Sequence, residues 1–332
     1  NRTTLMEYLK LFGGLALLIV SGNFLVNSAT DIARRLKISS LVIGLTIVAF
    51  GTSAPELLVS AEAALSGHPE IALGNVLGSN IANIGFIAGL TAILLPFFVT
   101  KKIITLDIKV MILFAVLFTF FAYDGEFNRI EGGIVFLLLI AYTILLLWMS
   151  KKSNEEAKFE DPRNNLWLNI LIFISSLAGL AFGSDFMVDG ASTIATNLGV
   201  SERVISVTIV AVGTSLPEFT ASIISVLKKE VGITIGNLIG SNIFNVGAVL
   251  GISSIIQPIQ FDFNEFYPDM VWMLLFSILL LIGLLNVTRN FKLMRETGKI
   301  SSLWSANEGE VGRIWGTTAL ILYIGYIVLL LL

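Results

Sequence analysis

Apolar stretches long enough to cross a lipid bilayer recur along the whole chain, separated by short polar connections. A transmembrane helix needs roughly 20 apolar residues, because the bilayer core holds no water that could satisfy its backbone groups. Only 14% of the 332 residues are charged, whereas a soluble domain has about 25%. The sequence therefore predicts an all-α polytopic membrane protein, whose first apolar stretch is expected to remain in the mature chain.

We predict ten transmembrane helices. Their ranges are roughly 5–33, 39–66, 70–97, 103–122, 130–150, 166–195, 201–227, 231–257, 268–288 and 313–332. Lys and Arg collect in alternate connections, for example ARRLK at 33–37 and KK at 228–229. Because positively charged loops stay in the cytoplasm, both termini are expected on the outer side of the cell membrane, the plasma or inner membrane.

The chain contains two copies of one unit. One constant shift along the sequence, which we call the repeat shift, carries position 56 to position 218. It places VIGLTIVAFGTSAPELLVS (42–60) on VISVTIVAVGTSLPEFTAS (204–222), and GNVLGSNIANIG (74–85) on GNLIGSNIFNVG (236–247). Each copy has five predicted helices, an odd number, so the second copy must enter the membrane inverted.

The predicted organisation is a first repeat at 1–150, a cytoplasmic linker at 151–165 and a second repeat at 166–332. Inverted repeats are typical of secondary transporters, although channels and receptors can also contain repeats. The inversion therefore favours a transporter that works by alternating access.

Each copy carries one glutamate in the middle of an apolar span, Glu56 and Glu218. A carboxylate at that depth is costly unless it is compensated, so it indicates a functional site. The alternative is a buried glutamate that hydrogen bonds within the helix bundle. Because the same neighbours recur around both glutamates, the pattern favours a functional role.

The residues beside both glutamates predict broken helices. Pro55 and Pro217 have no amide hydrogen and leave a carbonyl one turn back without its partner, and Gly51 and Gly213 weaken the same turn. Irregular backbone at membrane depth is tolerated where it lines a cavity. The oxygens that could then turn inward are the carbonyls of Ala49, Thr52, Ala211 and Thr214 and the hydroxyls of Thr52, Ser53, Thr214 and Ser215.

The next helix of each copy reads GNxxGSNIxN. Its glycines, including Gly78 and Gly240, are assigned mainly to close helix packing. Further side-chain oxygens come from Ser79, Asn80, Asn83, Ser241, Asn242 and Asn245. Asn80 and Asn242 could either bind an ion or satisfy loosened backbone, and the sequence leaves both roles open.

The chemistry of these motifs favours a hard cation. Ca²⁺ takes about six to eight oxygen ligands, two glutamates balance its charge, and the same oxygens could divide into smaller Na⁺ sites. The chain has no Cys and one His, His68, so neither a transition-metal site nor His-based catalysis is indicated. We expect a transporter rather than an enzyme, without a cofactor.

GTSAPE (51–56) with GNVLGSNIAN (74–83), and GTSLPE (213–218) with GNLIGSNIFN (236–245), resemble the α-repeats of the Ca²⁺/cation antiporter superfamily, particularly those of prokaryotic sodium/calcium exchangers. The resemblance covers nearly the whole chain. It implies exchange of Na⁺ for Ca²⁺ by alternating access, usually about three to one, which is electrogenic.

The resemblance also implies roles for individual residues. Glu56 and Glu218 would be central ligands shared by Ca²⁺ and Na⁺, and the carbonyls of Thr52 and Thr214 would bind Ca²⁺. The flanking Na⁺ sites would use Ala49 with Ser79 and Ala211 with Ser241, and the middle position would hold Asn83 and Asn245. Some relatives carry Asp where this chain has Asn245, and an acid there is associated with K⁺ co-transport, so a potassium-dependent variant is not expected.

Other readings remain open. H⁺/Ca²⁺ or other cation antiport could use the same fold, although proton-coupled relatives tend to carry Glu in the GN motif, which is absent here. A cation channel is disfavoured because no TVGYG-like filter occurs. Asp185 and Asp189 in the sixth predicted helix either guide ions or pair near a membrane face. The short linker predicts no regulatory Ca²⁺-binding domain.

The expected partners are Ca²⁺ and Na⁺ as substrates and the lipid bilayer, with no nucleic acid and a monomeric chain. For the transport cycle, the second, third, seventh and eighth predicted helices are expected to form a fixed core. The first and sixth helices would slide or rock across it.

Overall fold

The computed structural model describes residues 2–100, 106–152, 165–200, 211–296 and 308–331. The helices are α1 (Arg2–Leu36), α2 (Ser40–Thr52), α3 (Ala54–Leu65), α4 (Glu70–Leu94), α5 (Ile108–Phe121), α6 (Arg129–Lys152), α7 (Leu166–Asn197), α8 (Ala211–Thr214), α9 (Leu216–Leu227), α10 (Val231–Ile256), α11 (Phe263–Glu296) and α12 (Arg313–Leu331). Two short antiparallel ribbons accompany them: β1 (Phe97–Thr100) pairs with β4 (Glu308–Val311), and β2 (Glu126–Phe127) pairs with β3 (Ile259–Gln260).

Seven of the described helices are long and apolar enough to cross a membrane, and α2 and α3, which meet at a bend of 44°, are together long and apolar enough for an eighth span. The chain is thus a multi-pass membrane protein. The fourth predicted span, 103–122, is helical over the 14 residues Ile108–Phe121. The seventh, 201–227, begins with residues that lie outside the described part of the chain. The number of ten spans therefore stays a prediction, and most of the predicted linker 151–165 also lies outside the described residues.

The helix breaks occur where glycine and proline predict them. The first separates α2 from α3 at Ser53, which has φ −84° and ψ 5°. The second separates α8 from α9 at Ser215, with φ −93° and ψ 7°. The repeat shift carries Ser53 onto Ser215. The same local sequence therefore produces the same interruption twice.

A second irregularity also repeats. A π-helical segment occupies Asn83–Ala88 in α4, and another occupies Asn245–Leu250 in α10. Both begin at the last asparagine of the GSNIxN motif, and the repeat shift carries one asparagine onto the other. Short π-helical segments are frequent at functional sites. In each copy, an interrupted helix is thus followed by a helix that contains a π-helical segment.

Several helix ends differ from the predicted ones. Helix α4 ends at Leu94 rather than 97, because Pro96 holds the preceding Leu95 in an extended conformation (φ −141°, ψ 99°). Helix α11 begins at Phe263 rather than 268, because Oδ1 of Asp262 accepts a hydrogen bond of 2.9 Å from the amide of Asn264.

Regular structure is described at both ends of the segment 289–311, which lies between the ninth and tenth predicted helices. Helix α11 continues to Glu296, since the sequence RNFKLMRE consists largely of good helix formers. Further on, β4 pairs with β1 over four residues, from Phe97 opposite Val311 to Thr100 opposite Glu308.

The chain divides into two compact units. Unit 1 comprises Asn1–Leu58, Ile140–Asn237 and Ile324–Leu332, and unit 2 comprises Val59–Leu139 and Leu238–Tyr323. Each unit takes residues from both sequence repeats. In unit 1, α1 packs against α7 so closely that a Cβ at Gly14 would lie 2.6 Å from the carbonyl oxygen of Gly183. In unit 2, a buried aromatic core includes Phe114, Phe118, Phe127 and Phe276.

Candidate functional site

Unit 1 contains a buried carboxylate cluster, which we define as Thr52, Ser53, Glu56, Ser215, Glu218 and Asn237. Glu56 and Glu218 are each only 1% exposed. Both lie in the first turn after a helix break, at the start of α3 and α9. The breaks thus bring the two predicted glutamates into one polar cluster within unit 1.

The carboxylate of Glu218 contacts the motif of the other repeat. The hydroxyl of Ser53 donates to Oε1 of Glu218 over 3.4 Å, and the hydroxyl of Thr52 also lies within hydrogen-bonding reach. Oε2 of Glu218 accepts no hydrogen bond from any described residue. A buried oxygen without a donor is uncommon in native proteins, so this atom is suited to binding a cation.

Glu56 and Glu218 lie close enough to interact electrostatically. In a low-dielectric interior, two like charges repel more strongly than in water, and neither is solvated. A bound cation would offset both the repulsion and the lost solvation. The cluster therefore has the charge and the oxygen atoms that a hard cation requires.

Asn237 organises this cluster, a role that the sequence analysis missed. Its Oδ1 accepts a hydrogen bond of 3.0 Å from the hydroxyl of Thr52. Its Nδ2 donates to the backbone carbonyl of Glu218 over 3.4 Å and to the hydroxyl of Ser222 over 3.3 Å. Asn237 therefore links α10 to both broken helices of unit 1.

The repeat contained a signal for this residue. In unit 2, Nδ2 of Asn75 donates to the hydroxyl of Ser60 over 3.0 Å. The repeat shift carries Asn75 onto Asn237 and Ser60 onto Ser222. The same Asn–Ser hydrogen bond thus forms in both copies, so a search for polar pairs that recur under the repeat shift would have found it.

Unit 2 contains a second polar cluster, the amide cluster, which we define as Ser79, Asn80, Asn83, Asn242 and Asn245. Nδ2 of Asn245 donates to the hydroxyl of Ser79 and to Oδ1 of Asn80, both over 3.1 Å. Asn83 is fully buried, and neither its Oδ1 nor its Nδ2 has a hydrogen-bond partner among the described residues. The same is true of Oδ1 of Asn245, which leaves two amide oxygens as candidate ligands.

The side-chain amides of Asn80 and Asn242 donate hydrogen bonds to backbone carbonyls. Nδ2 of Asn80 donates to the backbone carbonyl of Asn242 over 3.4 Å. Nδ2 of Asn242 donates to the carbonyl of Leu238 over 2.7 Å. Both side chains therefore satisfy backbone carbonyls in the motif helices, which is the second of the two roles considered.

The other predicted site residues have the following positions. Ala49 and Ser241 are fully buried, and the carbonyl of Ala49 accepts the amide of Ser53 over 3.0 Å. Thr214 ends α8, which begins at Ala211. The hydroxyl of Ser215 is buried and without a partner among the described residues.

The glycines of the motifs differ in how closely other residues pack against them. A Cβ at Gly51 would lie 2.5 Å from the side chain of Leu177. A Cβ at Gly213 would collide with the side chain of Val188. At Gly78, by contrast, a Cβ would meet no atom of the described residues within 4 Å.

Asp189 in α7 pairs with Lys10 in α1. Oδ2 of Asp189 lies 2.7 Å from Nζ of Lys10, and the Asp189 side chain is 57% exposed. Of the two roles considered for this residue, the structure thus displays the ion pair.

The chain resembles known proteins over nearly its full length. The family model for the sodium/calcium exchanger protein matches residues 7–148 and 168–332. The chain is 39% identical to the putative antiporter CaxA of Alkalimonas amylolytica over 294 residues, which cover 86% of this chain and 92% of that protein. It is 31% identical to the sodium/calcium exchanger MaX1 of Methanosarcina acetivorans over 98% of both proteins.

Solved structures agree with these relatives. The chain superposes on the sodium–calcium exchanger NCX_Mj soaked with 2.5 mM Na⁺ and 0.1 mM Ca²⁺ with a TM-score of 0.78 and 31% sequence identity. The superposition covers 97% of each chain. The broken helices with their buried glutamates therefore belong to a fold shared with a known exchanger, and this chain is a member of the sodium/calcium exchanger family of Ca²⁺/cation antiporters.

Proposed function

We propose that this chain exchanges Na⁺ for Ca²⁺ across the cell membrane. The observation that carries the proposal is the pair of glutamates in the carboxylate cluster, Glu56 and Glu218, each 1% exposed. Two buried carboxylates require compensating positive charge, and one Ca²⁺ or two Na⁺ would supply it. A third Na⁺ would add one net positive charge to the loaded protein.

The proposed Ca²⁺ ligands are oxygen atoms at the helix breaks. The carboxylates of Glu56 and Glu218 would bind Ca²⁺ together with the backbone carbonyls of Thr52 and Thr214, and the hydroxyls of Ser53 and Ser215 would lie beside them. Oxygen ligands of this kind suit both Ca²⁺ and Na⁺ because both are hard cations. NCX_Mj, which this chain resembles, was soaked with Na⁺ together with Ca²⁺ or Sr²⁺, which supports the choice of ions.

The proposed Na⁺ sites use further residues of both repeats. The resemblance assigns Ala49, Ala211, Ser79 and Ser241 to the flanking sites. Asn83 and Asn245 would provide the middle position. The support for that role is that Oδ1 of each asparagine is buried and accepts no hydrogen bond from the described residues.

We propose that transport proceeds by alternating access in two inverted five-helix repeats, ten spans in all, with both termini outside the cytoplasm. Helices α1 and α7 would move as a pair across the broken helices. The close contact of Gly14 with Gly183 and the Lys10–Asp189 ion pair support joint movement. Small residues at a helix interface are typical of membrane helices whose backbones lie close together.

Exchange of three Na⁺ for one Ca²⁺ would move one net positive charge in each cycle. One elementary charge is worth about 2.3 kcal/mol per 100 mV of membrane potential. The rate of uptake should therefore respond to voltage, whereas exchange of two Na⁺ for one Ca²⁺ would move no net charge.

Flux measurements in proteoliposomes test this proposal. Vesicles that contain the protein are loaded with Na⁺ and diluted into Na⁺-free buffer with ⁴⁵Ca²⁺, with and without an imposed potassium–valinomycin potential. When three Na⁺ leave for each Ca²⁺ that enters, one positive charge leaves the vesicle, so uptake that requires internal Na⁺ and increases with an inside-positive potential supports electrogenic exchange. Uptake driven equally by a pH gradient without Na⁺ would instead identify a proton-coupled antiporter, and no Ca²⁺ flux under either gradient would remove Ca²⁺ as the substrate.

A further inference from the structure

A buried serine of α7 hydrogen bonds to the backbone of the second cation motif. Ser184 is 6% exposed, and its hydroxyl donates to the carbonyl oxygen of Gly213 over 2.5 Å. Ser184 lies in the middle of α7, whereas Gly213 opens the motif GTSLPE, which ends at Glu218. Both residues lie in unit 1.

The carbonyl of Gly213 needs such a partner because of Pro217. In an unbroken α-helix, the amide of residue 217 would donate to the carbonyl of residue 213. Proline has no amide hydrogen, and the helix is interrupted at Ser215 in any case. Because a buried carbonyl without a donor is unfavourable, the hydroxyl of Ser184 replaces the missing backbone hydrogen bond.

The same face of α7 also packs on this backbone. Val188 lies one helical turn after Ser184, on the same side of the helix. Its side chain occupies the space that a Cβ at Gly213 would need. Gly213 therefore receives a packing contact from Val188 and a hydrogen bond from Ser184, and both connect it to one turn of α7.

The first repeat lacks this hydrogen bond donor. The residue at the position matching Ser184 is Gly22, since GNFLVNSATDIA (22–33) aligns with SDFMVDGASTIA (184–195). Gly22 contacts α9 instead, where a Cβ would lie 2.6 Å from Cδ1 of Ile224 and 2.8 Å from Cγ2 of Thr220. A glycine has no hydroxyl to donate, so the two halves of the protein differ at this point.

We propose that Ser184 is a positioning residue that couples α7 to the second cation motif. Its hydrogen bond holds the Gly213 carbonyl toward α7 and stabilises the position of α7 seen here. The inference rests on the proposed function in one respect, namely that α7 is a helix that moves during alternating access. Each movement of α7 then requires this bond to break, and no matching bond forms from Gly22 in the first repeat.

Hydrogen–deuterium exchange of the purified full-length protein tests the coupling directly. Removal of one hydrogen bond shifts a local equilibrium by about two- to tenfold. In Ser184→Ala, amide exchange over 211–227 should therefore rise by about that factor, while exchange in α10 stays unchanged. Ser184→Thr, which keeps the hydroxyl, should restore the wild-type rate.

Ser176→Ala is the matched control. Ser176 also lies buried in α7, but its hydroxyl bonds to the carbonyl of Ile172 in the same helix over 2.7 Å. This variant should leave exchange over 211–227 unchanged. Wild-type exchange in Ser184→Ala would overturn the proposal, as would an equal rise in the control or in α10. None of these outcomes depends on which ions are transported. The coupling by Ser184 can therefore be disproved while Na⁺/Ca²⁺ exchange is upheld, and Na⁺/Ca²⁺ exchange can be disproved while the coupling is upheld.

A transport readout complements the exchange rates. If the bond stabilises one access state, its loss changes the fraction of protein that is competent to bind on each side of the membrane. The ratio of the KM values for Ca²⁺ measured from the two sides should change by about two- to tenfold in Ser184→Ala and not in Ser176→Ala. A lower maximal rate with an unchanged ratio would mean that the serine is merely structural and would contradict the proposal.

Discussion

The hydroxyl of Ser53 donates a hydrogen bond of 3.4 Å to Oε1 of Glu218. Ser53 belongs to GTSAPE in the first repeat and Glu218 to GTSLPE in the second. The two motifs thus share one buried carboxylate cluster within unit 1. A cation bound at Glu218 would therefore contact groups whose positions depend on both helix breaks.

Asn237 is expected to be essential for the stability of this cluster. Asn237→Ala removes the acceptor of the Thr52 hydroxyl and the donor to Ser222. Each hydrogen bond that is lost costs about 0.5–1.5 kcal/mol, so the apparent Tm of the purified protein should fall by several degrees. The measurement is thermal unfolding in detergent. Asn197→Ala, at an exposed position near the end of α7, is the control, and an equal fall in both variants would contradict the role of Asn237.

The contact between α1 and α7 can be tested with two adjacent glycines. A Cβ at Gly14 would lie 2.6 Å from backbone atoms of Gly183 and Met187, whereas a Cβ at Gly13 would meet nothing within 4 Å in the described part of the chain. Because backbone cannot yield as a side chain can, Gly14→Ala should destabilise the protein by about 1–3 kcal/mol.

Gly13→Ala is the control for this substitution. It should be neutral or should stabilise the helix, by up to about 1 kcal/mol. Thermal unfolding and Na⁺-driven Ca²⁺ uptake are measured for both variants. If the two substitutions had the same effect, the close packing of α1 on α7 would not be present in the membrane.

The helix breaks could be predicted from the sequence because their cause is local. Proline removes an amide hydrogen wherever it stands, and the pattern of Gly51 and Pro55 recurs as Gly213 and Pro217. The structure has the expected interruptions, at Ser53 and at Ser215. The burial of Glu56 and Glu218 was likewise expected from their position in apolar spans.

Other parts of the site could not be predicted because they depend on contacts between distant residues. Thr52 and Asn237 belong to different repeats. No local sequence pattern indicates to which oxygen atom a hydroxyl will donate its hydrogen bond. The same holds for Nδ2 of Asn245, which donates to Ser79 and Asn80. The end of α11 was predicted too early for a different reason. Its charged final residues have the composition of a loop, but most of them are good helix formers.

Transport is expected to be independent of K⁺. Position 245 holds an amide whose Nδ2 donates to Ser79 and Asn80, so it supplies no carboxylate to balance an additional cation. Replacement of K⁺ by choline on both sides should leave the rate of Na⁺-driven ⁴⁵Ca²⁺ uptake unchanged. Asn245→Asp provides the comparison, because it adds the missing acid. A wild-type rate that falls when K⁺ is removed would contradict this expectation.

Asp189 is expected to contribute little to transport. It pairs with Lys10 over 2.7 Å, but the two side chains are 57% and 34% exposed. Exposed ion pairs contribute little to stability because solvent screens them, so Asp189→Asn should lower ⁴⁵Ca²⁺ uptake by less than about twofold. Lys10→Met should behave in the same way, since it removes the other partner. A loss of tenfold or more in Asp189→Asn alone would show that this carboxylate acts on the ion itself.

The most direct test of the account is Na⁺-driven ⁴⁵Ca²⁺ uptake by Glu56→Gln and Glu218→Gln, measured beside the wild type and Glu62→Gln. Glu62 lies exposed in the same helix as Glu56, so it controls for the loss of one negative charge. Loss of an outer-shell partner costs a metal site about 10–100-fold. Loss of either central ligand should exceed that and abolish measurable uptake, while Glu62→Gln transports normally. Wild-type uptake in either Glu56→Gln or Glu218→Gln would contradict the proposal that these two carboxylates bind the transported ions.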